Sequence, residues 1–257
     1  MAIKQQAVAL YTLIRRELRR MFRIASQVFL PPVMTTALYF LIFGSLIGHR
    51  IGSIDGMSYP LFIAPGLIMM SVISNAYGNV STSLFSIRFQ KSIEEMLVSP
   101  LNNGVLLLGY VLGGVLRGLI VAFLVYLVSC FFIPLIPVHL FLTLVVIILV
   151  SAIFSLAGFI NAMLARNFDD VMIIPTFVLT PLTYLGGVFY STDMLPPFWQ
   201  KISHLNPILY MINALRYAMI EKQEVNSVTS LFIISIMLIL LTTLTLFLLK
   251  KGIGLRE

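Results

Sequence analysis

The chain has 257 residues, of which 59% are hydrophobic and only 11% charged. Soluble domains average about 45–50% apolar and about 25% charged, so a water-soluble globule is excluded, as are collagen-like, disordered and disulfide-scaffold classes. The net charge of +7 leaves a nucleic-acid partner open until the charges are placed, and the lone cysteine, Cys130, says nothing about redox compartment.

Residues 3–23 come first. Ile3, Ala7, Leu10, Ile14, Leu18 and Met21 recur at helical spacing, with Arg15, Arg16, Arg19, Arg20 and Arg23 on the opposite side. The pattern predicts an interfacial helix, apolar face in the headgroup boundary and basic face toward anionic lipid. A plain topology-setting basic flank is the competing reading. Glu17 falls at the edge of the apolar face and marks a contact with a protein partner. The arginines come with no nucleic-acid-binding fold, which argues against a nucleic-acid arm.

Six apolar runs then reach the roughly 20 residues a membrane-crossing helix needs: Ile24–Ile47, Pro60–Val80, Val105–Ile133, Leu140–Ala165, Val171–Tyr190 and Val228–Leu249. The first run is too long for a cleavable signal. Basic residues concentrate on one side of this topology: the arginines of residues 3–23, Lys4, Arg88, Lys91, Arg166, Lys250, Lys251 and Arg256. The other side holds Arg50, Lys201, Arg216 and Lys222. The positive-inside rule places both termini in the cytoplasm, and the +7 becomes a cytoplasmic collar. The expected fold is an all-α polytopic membrane protein, one domain over residues 1–257.

The loop at 85–103 follows the second run. Arg88–Val98 is predicted as a short helix ended by Ser99-Pro100. Its mixture of Arg88, Lys91, Glu94, Glu95 and Leu97 suits docking on a cytosolic partner, or equally a solvated loop lying on the membrane. In the third run Arg117 stands mid-membrane, a costly position that is functional by default. Gly109, Gly113, Gly114 and Gly118 form two small-xxx-small pairs around it, which predicts close helix packing. Asn75, Asn79 and Asn161 are its candidate partners, and pinning of helices is favoured over a transport relay.

Pro65, and Pro175 with Pro181, predict kinks in the second and fifth runs. Kinked spans often border a moving pathway. The candidate lining is Met69, Ile73 and Tyr77 with Phe177, Thr180 and Tyr184, although an apolar helix face more often simply packs. Such a lining suits an amphipathic or lipid-like substrate. Residues 191–226 are too broken to span, but Ile208–Ile220 keeps helical spacing. Two short helices that re-enter the membrane, or a loop resting on headgroups, both fit. His49, His139 and His204 are too scattered for a metal site. The chain contains no phosphate loop, zinc-protease motif or nucleophile elbow. Asp169-Asp170 reads as a helix start rather than a catalytic pair.

The whole pattern resembles the permease subunit of ABC type-2 exporters, in particular the bacterial YadH-type branch. The resemblance is densest in LTPLTYLGGVFYSTDMLPPFWQKISHLNPILYMINALR, where Leu179, Leu182, Leu185, Gly186, Val188, Leu195-Pro196, Pro207-Ile208, Tyr210 and Arg216 match the family signature. The E-E-x-L-V-S-P run resembles its coupling helix. The resemblance implies a homodimer, each copy bound to a cytosolic ABC ATPase subunit that carries the ATP and Mg, with no cofactor in this chain. It also implies membrane lipid as surroundings and Gly186, Gly187 and Phe189 as an external gate. A secondary carrier driven by an ion gradient is the alternative, but it predicts acidic residues within the spans. An intramembrane enzyme would need a nucleophile–base or metal constellation there. Neither feature is present in the sequence.

Overall fold

The computed structural model describes residues 3–48, 52–54, 56–90, 102–222, 224–252 and 254. The predicted loop helix, with Lys91, Glu94, Glu95 and Leu97, lies outside the described residues except for its first three, 88–90.

The chain is a helical bundle. The N-terminal helix Ile3–Arg23 leads into a first span, Ala25–Tyr39, which continues as wider π-type turns over Phe40–Ile47. A two-residue hairpin, Ser53–Ile54 against Met57–Ser58, precedes the second span. The second, third and fourth spans are Tyr59–Phe89, Asn103–Phe132 and Leu140–Leu164. The fifth is Phe168–Leu185 and the last Ser227–Lys251. Between them lie the helices Pro197–Leu205 and Pro207–Ile220, so the broken segment is a helix pair. The second span outruns its predicted end: Phe85–Phe89 is still helix, and Arg88 belongs to its last turn.

The second span is the axis. Two thirds of it is buried (67%), against 11% for the fifth and last spans, which leave most of their surface for lipid or another chain. It packs on the third and fourth spans, and the helix Pro207–Ile220 joins them at one end. One apolar cluster occupies that end, and a second gathers Leu13, Leu84, Phe159 and Leu249 at the end bearing both termini. These are called below the distal and proximal ends.

The prolines act locally as expected. Pro175 and Pro181 bracket a wide turn in which the Thr180 amide reaches back to the Pro175 carbonyl, five residues earlier. The ring of Pro181 would crowd the carbonyl four residues before it, and the wider turn relieves that clash. Asn167 caps the start of the fifth span, its Oδ1 accepting from the Asp170 amide at 2.7 Å. Asp169 and Asp170 sit in the first turn, where the helix dipole favours negative charge.

The glycines of the third span serve two neighbours rather than one. A Cβ on Gly109 would lie 2.9 Å from Leu13, and one on Gly113 3.0 Å from Glu17, so this row seats the N-terminal helix. Gly114 and Gly118 form a second row, filled by Ser155 and Ser151 of the fourth span. Gly114→Leu is expected to lower stability by ~1–3 kcal/mol through overpacking. Gly78→Leu, where nothing lies within 4 Å, is expected to be neutral. Thermal melts of the two detergent-solubilised variants check the contrast.

Candidate functional site

The N-terminal helix carries a carboxylate into the bundle. Leu13, Glu17 and Met21, four residues apart, form its buried stripe, and Glu17 is only 2% exposed. Ser83 of the second span donates to Glu17 Oε1 at 2.6 Å. Arg16 reaches the same oxygen at 3.1 Å and Arg20 reaches Oε2 at 2.9 Å. The two arginines then extend the network. Arg16 donates to the Tyr110 hydroxyl at 3.0 Å, and Arg20 to the Asn79 side-chain oxygen at 2.7 Å. The sequence expectation for Glu17 is therefore corrected. It does not face a partner, because a helical wheel cannot distinguish a lipid-facing edge from a protein-facing one.

Arg117 continues the chain of polar groups into the bundle. Its Nε and Nη2 donate to Asn75 Oδ1 at 3.2 and 3.0 Å, and its Nη1 lies 3.5 Å from Asn79 Oδ1. Asn161 is engaged elsewhere, donating to the Val171 carbonyl. Arg117 also lines an open crevice of about 320 Å³ between the first and second spans. Gln27, Pro31, Thr35 and Tyr39 form one wall, and Met70, Ser71, Ser74 and Asn75 the other.

This geometry corrects the second-span lining. Met69, Ile73 and Tyr77 are at most 1% exposed and pack into the core. The opposite stripe of the same helix, Met70, Ser71, Ser74 and Asn75, meets the crevice. In the fifth span Phe177 (73% exposed) and Tyr184 (39%) face outward, as does Thr180.

Aromatic rings gather beyond the crevice toward the distal end. Phe189 stands 5.2 Å from Tyr39 and 4.9 Å from Phe43, ring centre to ring centre, and 5.9 Å from Tyr184. The Tyr39 and Tyr184 hydroxyls are 3.2 Å apart. Gly186 and Gly187 are buried behind this cluster. Gly186 leaves no room for a side chain beside Ile208 and Ile212, and Gly187 takes a positive φ of 79° that suits glycine. The three residues expected to form an external gate thus stand together where the first and fifth spans meet.

Behind them lies a second buried ion pair. Arg216, 1% exposed, bonds Glu224 at 3.0 Å, donates to the Gly187 carbonyl at 2.7 Å and covers the Phe62 ring at 4.0 Å. The other oxygen of Glu224 accepts from the amide and hydroxyl of Thr192. Arg216, counted from the sequence among the basic residues of the outer side, is thus an internal strut of the distal cap.

Arg88 is also turned inward. Its Nη1 donates to the carbonyls of Ala162, Met163 and Ala165 at 3.0, 2.8 and 2.7 Å, capping the fourth span where the helix dipole is negative. It anchors the root of the loop rather than projecting from it.

Sequence reasoning missed Arg16, Arg20, Ser83 and Tyr110 of the latch, and the first-span wall of the crevice. The wall had a signal: Gln27, Pro31 and Thr35 repeat every four residues, as do Ser71 and Asn75.

Among the described residues, six helices long and apolar enough to cross a membrane, with buried ion pairs at both ends of the bundle, make a polytopic helical membrane protein. The profile of the ABC-2 type transporter family matches residues 8–220, and the chain belongs to that family. It is 50% identical over 252 residues to the inner membrane transport permease YadH of Escherichia coli K12, covering 97% of this chain and 98% of the relative. It is 29% identical over 189 residues to nodulation protein J of Sinorhizobium fredii, covering 73% and 71%. Against nodulation protein J of Rhizobium leguminosarum bv. viciae the identity is 26%, covering 71% of both.

Proposed function

We propose that this chain is the membrane subunit of an ATP-driven exporter in the bacterial cytoplasmic membrane, a single domain with both termini cytoplasmic. A separate cytosolic ATPase subunit binds the ATP and Mg, and two copies of this chain pair within membrane lipid. The exposed fifth span, with Phe177, Thr180 and Tyr184, is offered to the second copy. The substrate is amphipathic or lipid-like. The observation that carries this reading is the Glu17 latch. It ties a helix at the proximal end to the second and third spans, which carry the crevice residues Asn75 and Arg117. Force applied at that end is thereby delivered to the crevice.

In this reading the loop at 85–103 carries the coupling element, with Lys91, Glu94, Glu95 and Leu97 as its contacts to the ATPase. Arg88 holds its root to the fourth span. The helix pair at the distal end re-enters the outer leaflet and backs the gate at Gly186, Gly187 and Phe189. An ion-driven carrier is disfavoured because the buried carboxylates among the described residues, Glu17 and Glu224, are locked by arginines.

Co-expression with the genome-adjacent ATPase tests the assignment, with co-purification in mild detergent as the expected result. A chain that purifies alone would count against it. Within the complex, the double replacement of Glu94 and Glu95 by alanine is expected to leave insertion and ATP hydrolysis intact and to abolish substrate-stimulated turnover. Wild-type stimulation in nanodiscs would remove the coupling assignment.

A further inference from the structure

The network runs from the Glu17 carboxylate through Arg16 and Arg20 to Asn79 and Arg117. Glu17 is shared by the two N-terminal arginines, so Arg117 is left with neutral amide oxygens. Its stronger partner, Asn75 Oδ1, receives two of its N–H groups, and the other, Asn79 Oδ1, is held more closely by Arg20. Among the described residues no carboxylate lies within ion-pair distance of Arg117. A guanidinium has five N–H donors in a planar fork, so Nη1 and Nη2 each keep one beyond these bonds. An arginine inside a membrane span is costly without a counter-charge, and its fork matches phosphate oxygens two at a time.

The crevice supplies the rest of an oxyanion site. Thr35, Ser71 and Gln27 bring hydroxyl and amide groups to its walls, while the Ser74 hydroxyl donates to the Met70 carbonyl. Its volume, about 320 Å³, is at the small end of the roughly 300–1,000 Å³ typical of ligand sites. That holds a headgroup but not acyl chains. On the neighbouring strip of the first span, Leu30, Met34 and Leu38 are each more than half exposed at four-residue steps, an apolar track for a tail.

We propose that this crevice binds the phosphate headgroup of an anionic amphiphile, with Arg117 as its counter-ion and the tail along Leu30, Met34 and Leu38. The proposal rests on the export reading and names the substrate class for it. Headgroup phosphate then supplies the counter-charge that Arg117 lacks among the described residues.

Binding is measured on the purified permease without an ATPase, so that its failure leaves the export assignment standing and loss of ATPase co-purification leaves the binding result standing. The probes are dioleoyl phosphatidic acid, dioleoylglycerol with the same tails and no phosphate, and inorganic phosphate alone. Native mass spectrometry and thermal shift are the readouts. Phosphatidic acid is expected to bind at least about tenfold tighter than dioleoylglycerol, with Arg117→Gln erasing the difference and Arg117→Lys keeping part of it. Thr35→Phe blocks the crevice from an exposed position with Arg117 intact. It is expected to lose the same binding, which guards against misfolding of the Arg117 variants. Equal binding of the two lipids, or unchanged phosphatidic acid binding in both Arg117→Gln and Thr35→Phe, overturns the proposal. Protection by inorganic phosphate equal to that by phosphatidic acid would show a soluble-anion site and overturn the amphiphile assignment.

Discussion

Arg216→Met is expected to lower stability by about 3–5 kcal/mol, because it strands a carboxylate in a nearly dry site. Arg216 and Glu224 are 1% and 6% exposed, and between them they fasten the Gly187 carbonyl and the start of the Thr192 turn. Glu224→Leu alone is expected to cost a similar amount, since it removes the ion-pair partner of a buried guanidinium. The double variant Arg216→Met/Glu224→Leu is expected to be better than the sum of the singles by ~1–3 kcal/mol, as befits groups in direct contact. Thermal unfolding of the four proteins in one detergent completes the cycle. Additive losses would mean that each side chain acts through packing alone, and that the cap is not built on the ion pair.

The second large effect is at the proximal end. Glu17→Ala removes the acceptor shared by Arg16, Arg20 and Ser83. The arginines are about one third exposed (33% and 30%), so water softens the loss to about 3 kcal/mol, the lower end for a broken buried pair. The N-terminal helix should then detach, opening the part-buried Arg16 and Arg20 to trypsin at low protease concentration while the spans stay resistant. Glu17→Gln keeps the shape and one acceptor oxygen, and is expected to fall between wild type and alanine. A Glu17→Ala protein that melts and digests like wild type would show that the helix is held by Leu13 in the glycine groove and by the buried Met21.

These two sites also mark where the sequence was readable and where it was not. The spans were legible because lipid leaves the backbone few options, so a run of apolar residues has one meaning. The glycine pairs of the third span were legible for the same reason: small residues at four-residue spacing make a groove whatever fills it. That two different helices fill two grooves required coordinates. Arg117 with Asn75 was recoverable because polar groups in a span have few partners to choose from. Glu17 and Arg216 were not recoverable, because a charged residue near a membrane boundary can be solvated or buried and the sequence pattern is identical. Met69, Ile73 and Tyr77 failed for a related reason. A span apolar on every side carries no periodic mark to separate core from crevice, and only the sparse hydroxyls at Ser71 and Ser74 pointed to the right face.

The latch has a consequence for how the chain is made. Arg16 bonds Tyr110, 94 residues later. At roughly 5–20 residues per second of synthesis, the N-terminal helix waits about 5–20 s before its last partner leaves the ribosome. During that interval the seat of Glu17 is incomplete, and the helix rests at the membrane surface on its apolar face and its arginines. The third span therefore does more than cross the bilayer. Its arrival draws the first helix down into the glycine groove, so assembly at this end closes backwards along the sequence.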